Sequence, residues 1–270
     1  MFPRHFLPFG LATGLALQLI ASAALHAATV SLHPAADTSI YSAFPTFNFG
    51  GGTTITAGGR PQGGESRALM LFDIHDNLPA GAIIQSVSLR MAVLGTPSSG
   101  AVNSVFDLNE LTASWAEGSG SDRGGSPAGP NAATWNNRFG ASGSPWATPG
   151  GDFSSSISAF ISVIGDGSYT FASTPGMVAD VQGWLNNPGS DFGWMLRSES
   201  ELISRTIRRF GSHEDPANSP VLIIQYAVPE PSACLLLLLG LGAMGRKRWR
   251  CRQGTAEEST GGTSSTSPQF

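Results

Sequence analysis

Cysteine and lysine are almost missing from this chain. Its two cysteines, Cys234 and Cys251, and its one lysine, Lys247, all fall beyond residue 230. The stretch 28–227 therefore has no disulfide, no thiolate nucleophile and no thiolate metal ligand. Positive charge is scarce there too: nine arginines stand against 16 acidic residues, a formal charge of −7 compared with −4 for the whole chain. With no basic patch, nucleic acid is not an expected partner. The only histidines in this stretch are His33, His75 and His213, without metal-type spacing. There is no Gly-x-Ser-x-Gly elbow, and Gly118-Ser119-Gly120-Ser121 reads as flexible loop. Paired carboxylates could cleave glycosides, but any acidic domain offers such pairs by chance. No catalytic residue is assigned, and the expectation is a protein that is not an enzyme. Long apolar runs are confined to the two ends.

At the N-terminus, Arg4 and His5 precede an apolar stretch from Leu7 to Ile20, and alanines from Ala23 to Ala28 offer a small-residue cleavage site. This is the pattern of a signal peptide, placed at residues 1–27. Near the other end, Val228-Pro229-Glu230-Pro231-Ser232 leads into an apolar run of 12 residues, Ala233 to Met244, followed by Arg246-Lys247-Arg248-Trp249-Arg250. As a helix that run is about 18 Å long, short of the roughly 30 Å hydrocarbon core of a bilayer. The basic residues after it would stay on the cytoplasmic side. A temporary membrane address, read and then cut, fits this better than a permanent anchor. Five consecutive leucines, Leu235 to Leu239, leave no polar face for an amphipathic helix.

These residues resemble a PEP-CTERM sorting signal, with Pro229, Glu230 and Pro231 as its motif and residues 228–250 as its extent. The resemblance implies export and processing by the membrane protease-transpeptidase exosortase. It also implies transient association with the inner membrane and delivery to the surface or extracellular matrix of a Gram-negative bacterium that makes exopolysaccharide. One departure stands out: Cys251 to Phe270 continue as a Ser/Thr/Gly-rich tail, which reads as disordered.

Between the ends lie about 200 residues, 28–227, enough for one all-β domain. Val87, Leu89, Met91 and Val93 alternate with smaller or polar residues, the period of a strand with one buried face. Ala68 to Phe72 is apolar on both faces, as in a strand covered on both sides. Further strands are expected at Thr53–Ala57, Val105–Leu111, Tyr169–Ala172, Gly193–Arg197, Thr206–Phe210 and Val221–Tyr226. Many short strands between Gly/Pro turn signals predict a jelly-roll-like β-sandwich. One helix is expected, with Thr174 as cap, Pro175 at its first position and an apolar stripe of Met177, Val181, Trp184 and Leu185; Asn186-Asn187-Pro188-Gly189 stops it. Gly118 to Ser154 is the longest irregular piece, and a loop of that length is functional or ordered by its own side chains.

In order along the chain, several segments resemble DNRLRE-domain proteins, which are related to a family of carbohydrate-binding modules. The matching segments include Asp37-Thr38, Asn48-Phe49-Gly50, Phe72-Asp73, Trp115-Ala116-Glu117-Gly118, Ala133-Thr134-Trp135-Asn136, Trp146 to Asp152, Asp180-Val181, Gly193-Trp194 and Ser212-His213-Glu214. In the last of these the family often has Ser-Arg-Glu. The resemblance implies an exported β-sandwich, some of whose relatives bind polysaccharide.

Two sites follow as expectations. Sugar binding needs an aromatic face and planar polar groups, and Trp135, Asn136, Arg138 and Trp146 in the long loop supply both. The competing reading is that these tryptophans pin the loop to the sandwich. For an anionic polysaccharide the acidic domain is unfavourable; Arg205, Arg208 and Arg209 are a local offset, with strand alternation placing Arg208 and Arg209 on opposite faces. Asp37, Asp73, Asp152, Asp180 and Glu214 are candidate ligands of a structural Ca²⁺, although loop aspartates commonly only cap turns. The expected function is non-enzymatic association with exopolysaccharide. A purely structural surface protein and a polysaccharide-degrading enzyme are the alternatives.

Overall fold

A computed structural model describes residues 25–121, 124–140 and 143–229. The alternating run around Val87 is the centre of the longest strand, and the architecture grows from it. Val87, Leu89, Met91 and Val93 are all buried on one face of β6 (Ile83–Gly95). The strands before it are β1 (Leu25–Leu32), β2 (Ala36–Tyr41), β3 (Phe47–Asn48), β4 (Thr54–Gly59) and β5 (Glu65–Leu71). After it come β7 (Ser104–Leu111), the short β8 (Ser126–Pro127), β9 (Asn137–Phe139) and β10 (Gly143–Pro145), then β11 (Phe153–Val163) and β12 (Gly167–Phe171). Helix α1 (Pro175–Asn186) and a 3₁₀ turn, Pro188–Ser190, lead to β13 (Trp194–Ser198), β14 (Arg208–Gly211) and β15 (Val221–Pro229).

All pairings are antiparallel. One layer has β15 between β1 and β6, with β12 on the far side of β6 and β14 continuing beside its end. The other carries β2, β5, β13, β7 and β11 in that order. Strand β4 joins them: it pairs with β14 on one side, while Gly58 and Gly59 pair with Ser66 and Glu65 of β5. The sheet thus curls over onto itself as the expected sandwich. Glycine is required at the bend, where Gly58 has φ +115° and a Cβ would lie 2.7 Å from the Ile207 backbone.

Aromatic side chains fill the space between the layers. Phe106 of β7 meets Phe210 of β14 across it, ring centroids 5.5 Å apart, and Trp184 of α1 meets Trp194 of β13 at 4.6 Å. Helix α1 packs against β6 and β11. It is built as its sequence predicts: the Thr174 hydroxyl accepts from the Met177 amide, Pro175 opens the first turn, and Met177, Val181, Trp184 and Leu185 are the buried residues.

The strand apolar on both faces is β5. Its inner face joins the main core through Ala68 and Met70, and its outer face belongs to a second cluster of Ile40, Leu69, Leu111, Trp115, Ala133, Trp146 and Met195. The long loop supplies the cover for that outer face. Among the described residues no helix is long and apolar enough to cross a membrane. Most of the expected signal peptide, the apolar run 233–244 and the tail 251–270 lie outside the described residues. Leu25–Ala27 and Val228–Pro229, read from sequence as parts of the two processed ends, are here the outer rungs of the β1–β15 ladder.

Candidate functional site

The loop tryptophans do not form a paired sugar platform. Trp146 is 3% exposed, and its indole N–H donates to the Thr134 carbonyl at 2.8 Å. Burial removes both ring faces from solvent, so the expectation for Trp146 is corrected: it anchors the loop. Trp135 is half-buried against the same cluster, with the Arg67 guanidinium 4.9 Å from its ring centroid. Arg67 is held there by Glu201 and by the Gly150 carbonyl. Asn136 and Arg138 are half-buried beside it, and the Arg138 carbonyl accepts the Ala116 amide at 3.2 Å.

The five carboxylates expected around a Ca²⁺ ion are not gathered in one place. Asp73 accepts the Asp76 amide in a turn. Asp152 caps the Ala147 and Thr148 amides. Asp180, on α1, accepts the Trp194 indole N–H at 2.7 Å. Only Asp37 and Glu214 meet, and their companions are Glu117 and His213. One ligating atom from each of these four residues lies within 4.8 Å of all the others.

Each of the four is placed by local structure. Asp37 is the second residue of β2, buried, with its amide donating to Glu117 Oε1 at 2.6 Å and its Oδ2 accepting the His213 amide at 2.8 Å. Glu117 lies beyond β7, where the buried Asn48 side chain donates to the Glu117 and Ala133 carbonyls and accepts the Gly50 and Gly120 amides. His213 and Glu214 occupy the turn after β14, fixed by the Ser212 hydroxyl, which donates to the Gly52 carbonyl and accepts the Glu214 amide. His213 Nε2 is 2.6 Å from Glu117 Oε1 and 2.9 Å from Glu214 Oε1. Asp37 Oδ1 and Glu214 Oε2 are buried without a hydrogen-bond partner.

The electrostatics follow from crowding and burial. Desolvation pushes the Asp37 carboxyl up to about 7, and burial likewise raises Glu117. Burial works against a charged His213, but Asp37, Glu117 and Glu214 outweigh it and hold the imidazole above its ordinary value. Three carboxylates and one imidazole converging like this can share protons or hold a cation. Sequence reasoning included Glu117 and His213 in its motif segments but not in a site. The adjacent His213-Glu214 pair was the available signal.

A second feature lies where β2, β4 and β14 meet. Tyr41, Phe44, Phe49, Thr56, Arg60 and Arg209 are among the residues lining an open groove of about 350 Å³. Tyr41 and Phe49 pack with ring centroids 4.4 Å apart, and the Thr56 hydroxyl donates to the Tyr41 hydroxyl at 2.6 Å. The Arg60 guanidinium sits 4.8 Å from the exposed Phe44 ring and 5.6 Å from Tyr41. Arg209 points out from β14 while Arg208 points in, as strand alternation requires. No acidic side chain is among the described residues lining the groove.

No curated protein matches the chain. Residues 227–253 match the PEP-CTERM protein-sorting motif, which marks the chain as an exported, cell-surface-directed protein carrying a signal that exosortase processes.

Proposed function

We propose that this exported protein is a non-enzymatic module of the surface or matrix of a Gram-negative bacterium, and that it associates with exopolysaccharide. The observation that carries the reading is the groove of Tyr41, Phe44, Phe49, Arg60 and Arg209. The exposed Phe44 ring and the half-buried Tyr41 ring, backed by the buried Phe49, offer faces to the C–H side of a pyranose, and guanidinium groups offer planar donors to hydroxyls and carboxylates. The groove also answers the objection from net charge. At physiological salt the field of distant carboxylates is screened over about 8 Å, so two arginines at the contact outweigh a remote negative surface. An acidic, uronate-bearing polysaccharide is therefore the favoured ligand. The ordered resemblance to DNRLRE modules supports the same reading.

The test is binding of the full-length chain to uronate-bearing, sulfated and neutral polysaccharides. Phe44→Ala and Arg60→Ala are expected to weaken binding to the uronate polymer about tenfold each, in line with about 1–2 kcal/mol per lost stacking or charged contact. Added salt should weaken binding further, and the melting temperature should not change. A loss at Trp135→Ala instead would move the contact to the long loop. If no polysaccharide binds under any condition, the module is purely structural.

A further inference from the structure

Asp37, Glu117 and Glu214 bring three acidic groups to one point, reached from three separate stretches of chain, and His213 alone stands against them. Asp37 is 1% exposed, and its Oδ1 has no partner although water cannot reach it. Glu214 Oε2 is in the same position. A buried carboxylate oxygen without a donor is costly, and two of them beside a third carboxylate indicate a missing positive charge. The surrounding scaffold does not yield to relieve them. Asn48 makes four hydrogen bonds that fix the segment carrying Glu117, and a Cβ on Gly50 would sit 2.2 Å from the Glu117 carbonyl oxygen. This is a preformed cage.

We propose that Asp37, Glu117, His213 and Glu214 form a divalent-cation site that staples β2, the segment after β7 and the turn after β14. The donor set narrows the metal. Calcium prefers an all-oxygen shell, whereas one imidazole with three carboxylates suits a first-row dication such as Zn²⁺ or Mn²⁺. His213 Nε2 lies 2.6 and 2.9 Å from the Glu117 and Glu214 oxygens. Neighbouring ligands on a small dication at about 2.1 Å are roughly 3.0–3.4 Å apart, so these three groups would spread slightly while the four ligating atoms, within 4.8 Å of one another, close on the ion. The site stands apart from the groove and does not depend on the polysaccharide reading.

The full-length chain, stripped with a chelator and equilibrated separately with Zn²⁺, Mn²⁺ or Ca²⁺, is assayed for bound metal by elemental analysis and for melting temperature. One equivalent of Zn²⁺ or Mn²⁺ is expected, with a rise of about 5–10 °C at a hundredfold excess over the dissociation constant. Glu214→Gln and His213→Gln should each weaken binding at least tenfold. In chelator, Glu214→Gln should melt no lower than the parent, because a repelling charge has gone. A lower melting point there, with no metal response in the parent, would show that the carboxylates serve only a hydrogen-bond network and would overturn the site. Absence of bound metal overturns it as well. Binding of Ca²⁺ alone, unaffected by His213→Gln, would overturn the assignment of His213 as a ligand.

Discussion

Arg208 and Arg209 are chain neighbours in opposite surroundings. Arg209 faces the groove, while Arg208 is fully buried, with the Asp166 carboxylate near enough to favour its charge. Its Nη1 donates to the Thr206 and Ile207 carbonyls at 3.0 and 3.1 Å, and its Nη2 donates to Val102, Val163 and Ile164 at 3.0, 3.3 and 3.0 Å. Burial lowers its pKa from the ordinary arginine value, yet a guanidinium keeps its charge. One planar fork thus gathers carbonyls from three segments of chain. A lysine cannot reproduce that fork, so Arg208→Lys should destabilise the protein by about 3 kcal/mol, and Arg208→Met by about 3–5 kcal/mol. Urea denaturation measures both. Trp146 is the other residue whose loss should be felt throughout the loop. Trp146→Ala removes a buried ring and the donor to Thr134, at a cost of about 3–5 kcal/mol.

At the scale of elements, α1 provides a calibrated check. Thr174→Ala removes the cap on the Met177 amide and should cost about 1 kcal/mol, read as a lower midpoint in denaturant. The first strand bears on processing. Because Leu25 to Ala28 pair with Pro229 to Tyr226, a mature N-terminus at Ala24 keeps the whole ladder, whereas a cut after Ala27 strips its outer rungs. Mass spectrometry of the exported protein is expected to find the earlier cut. What could be read from sequence divides by range. The period of β6, the double-sided β5 and the capped α1 are local patterns, and each was legible. β11 was not, because register shifts between Phe153 and Ala159 break its alternation. The cover over β5 and the meeting of Asp37, Glu117 and His213 were also hidden. They depend on segments about 80 to 176 residues apart, which no spacing rule encodes.

For the whole molecule, buried carboxyls set how stability responds to pH. Desolvation raises Asp107 from the usual 3.8 to about 6 and Asp191 to about 7. An acid with a raised folded pKa holds its proton more tightly folded than unfolded. Its contribution is therefore present below about pH 4 and is lost as pH rises through 6 to 7. The melting temperature should fall across that window in the parent. It should fall less steeply in Asp107→Asn and Asp191→Asn, whose side chains have no proton to lose.

The rung that joins Leu25 to Pro229 has a mechanical meaning. Whatever holds the C-terminal side, tension enters the domain along β15, a strand laddered on one flank by β1 and on the other by β6. A pull along its axis loads two rows of hydrogen bonds in shear, so many must yield together. A protein exposed to drag outside the cell is thereby gripped by a strand held on both flanks.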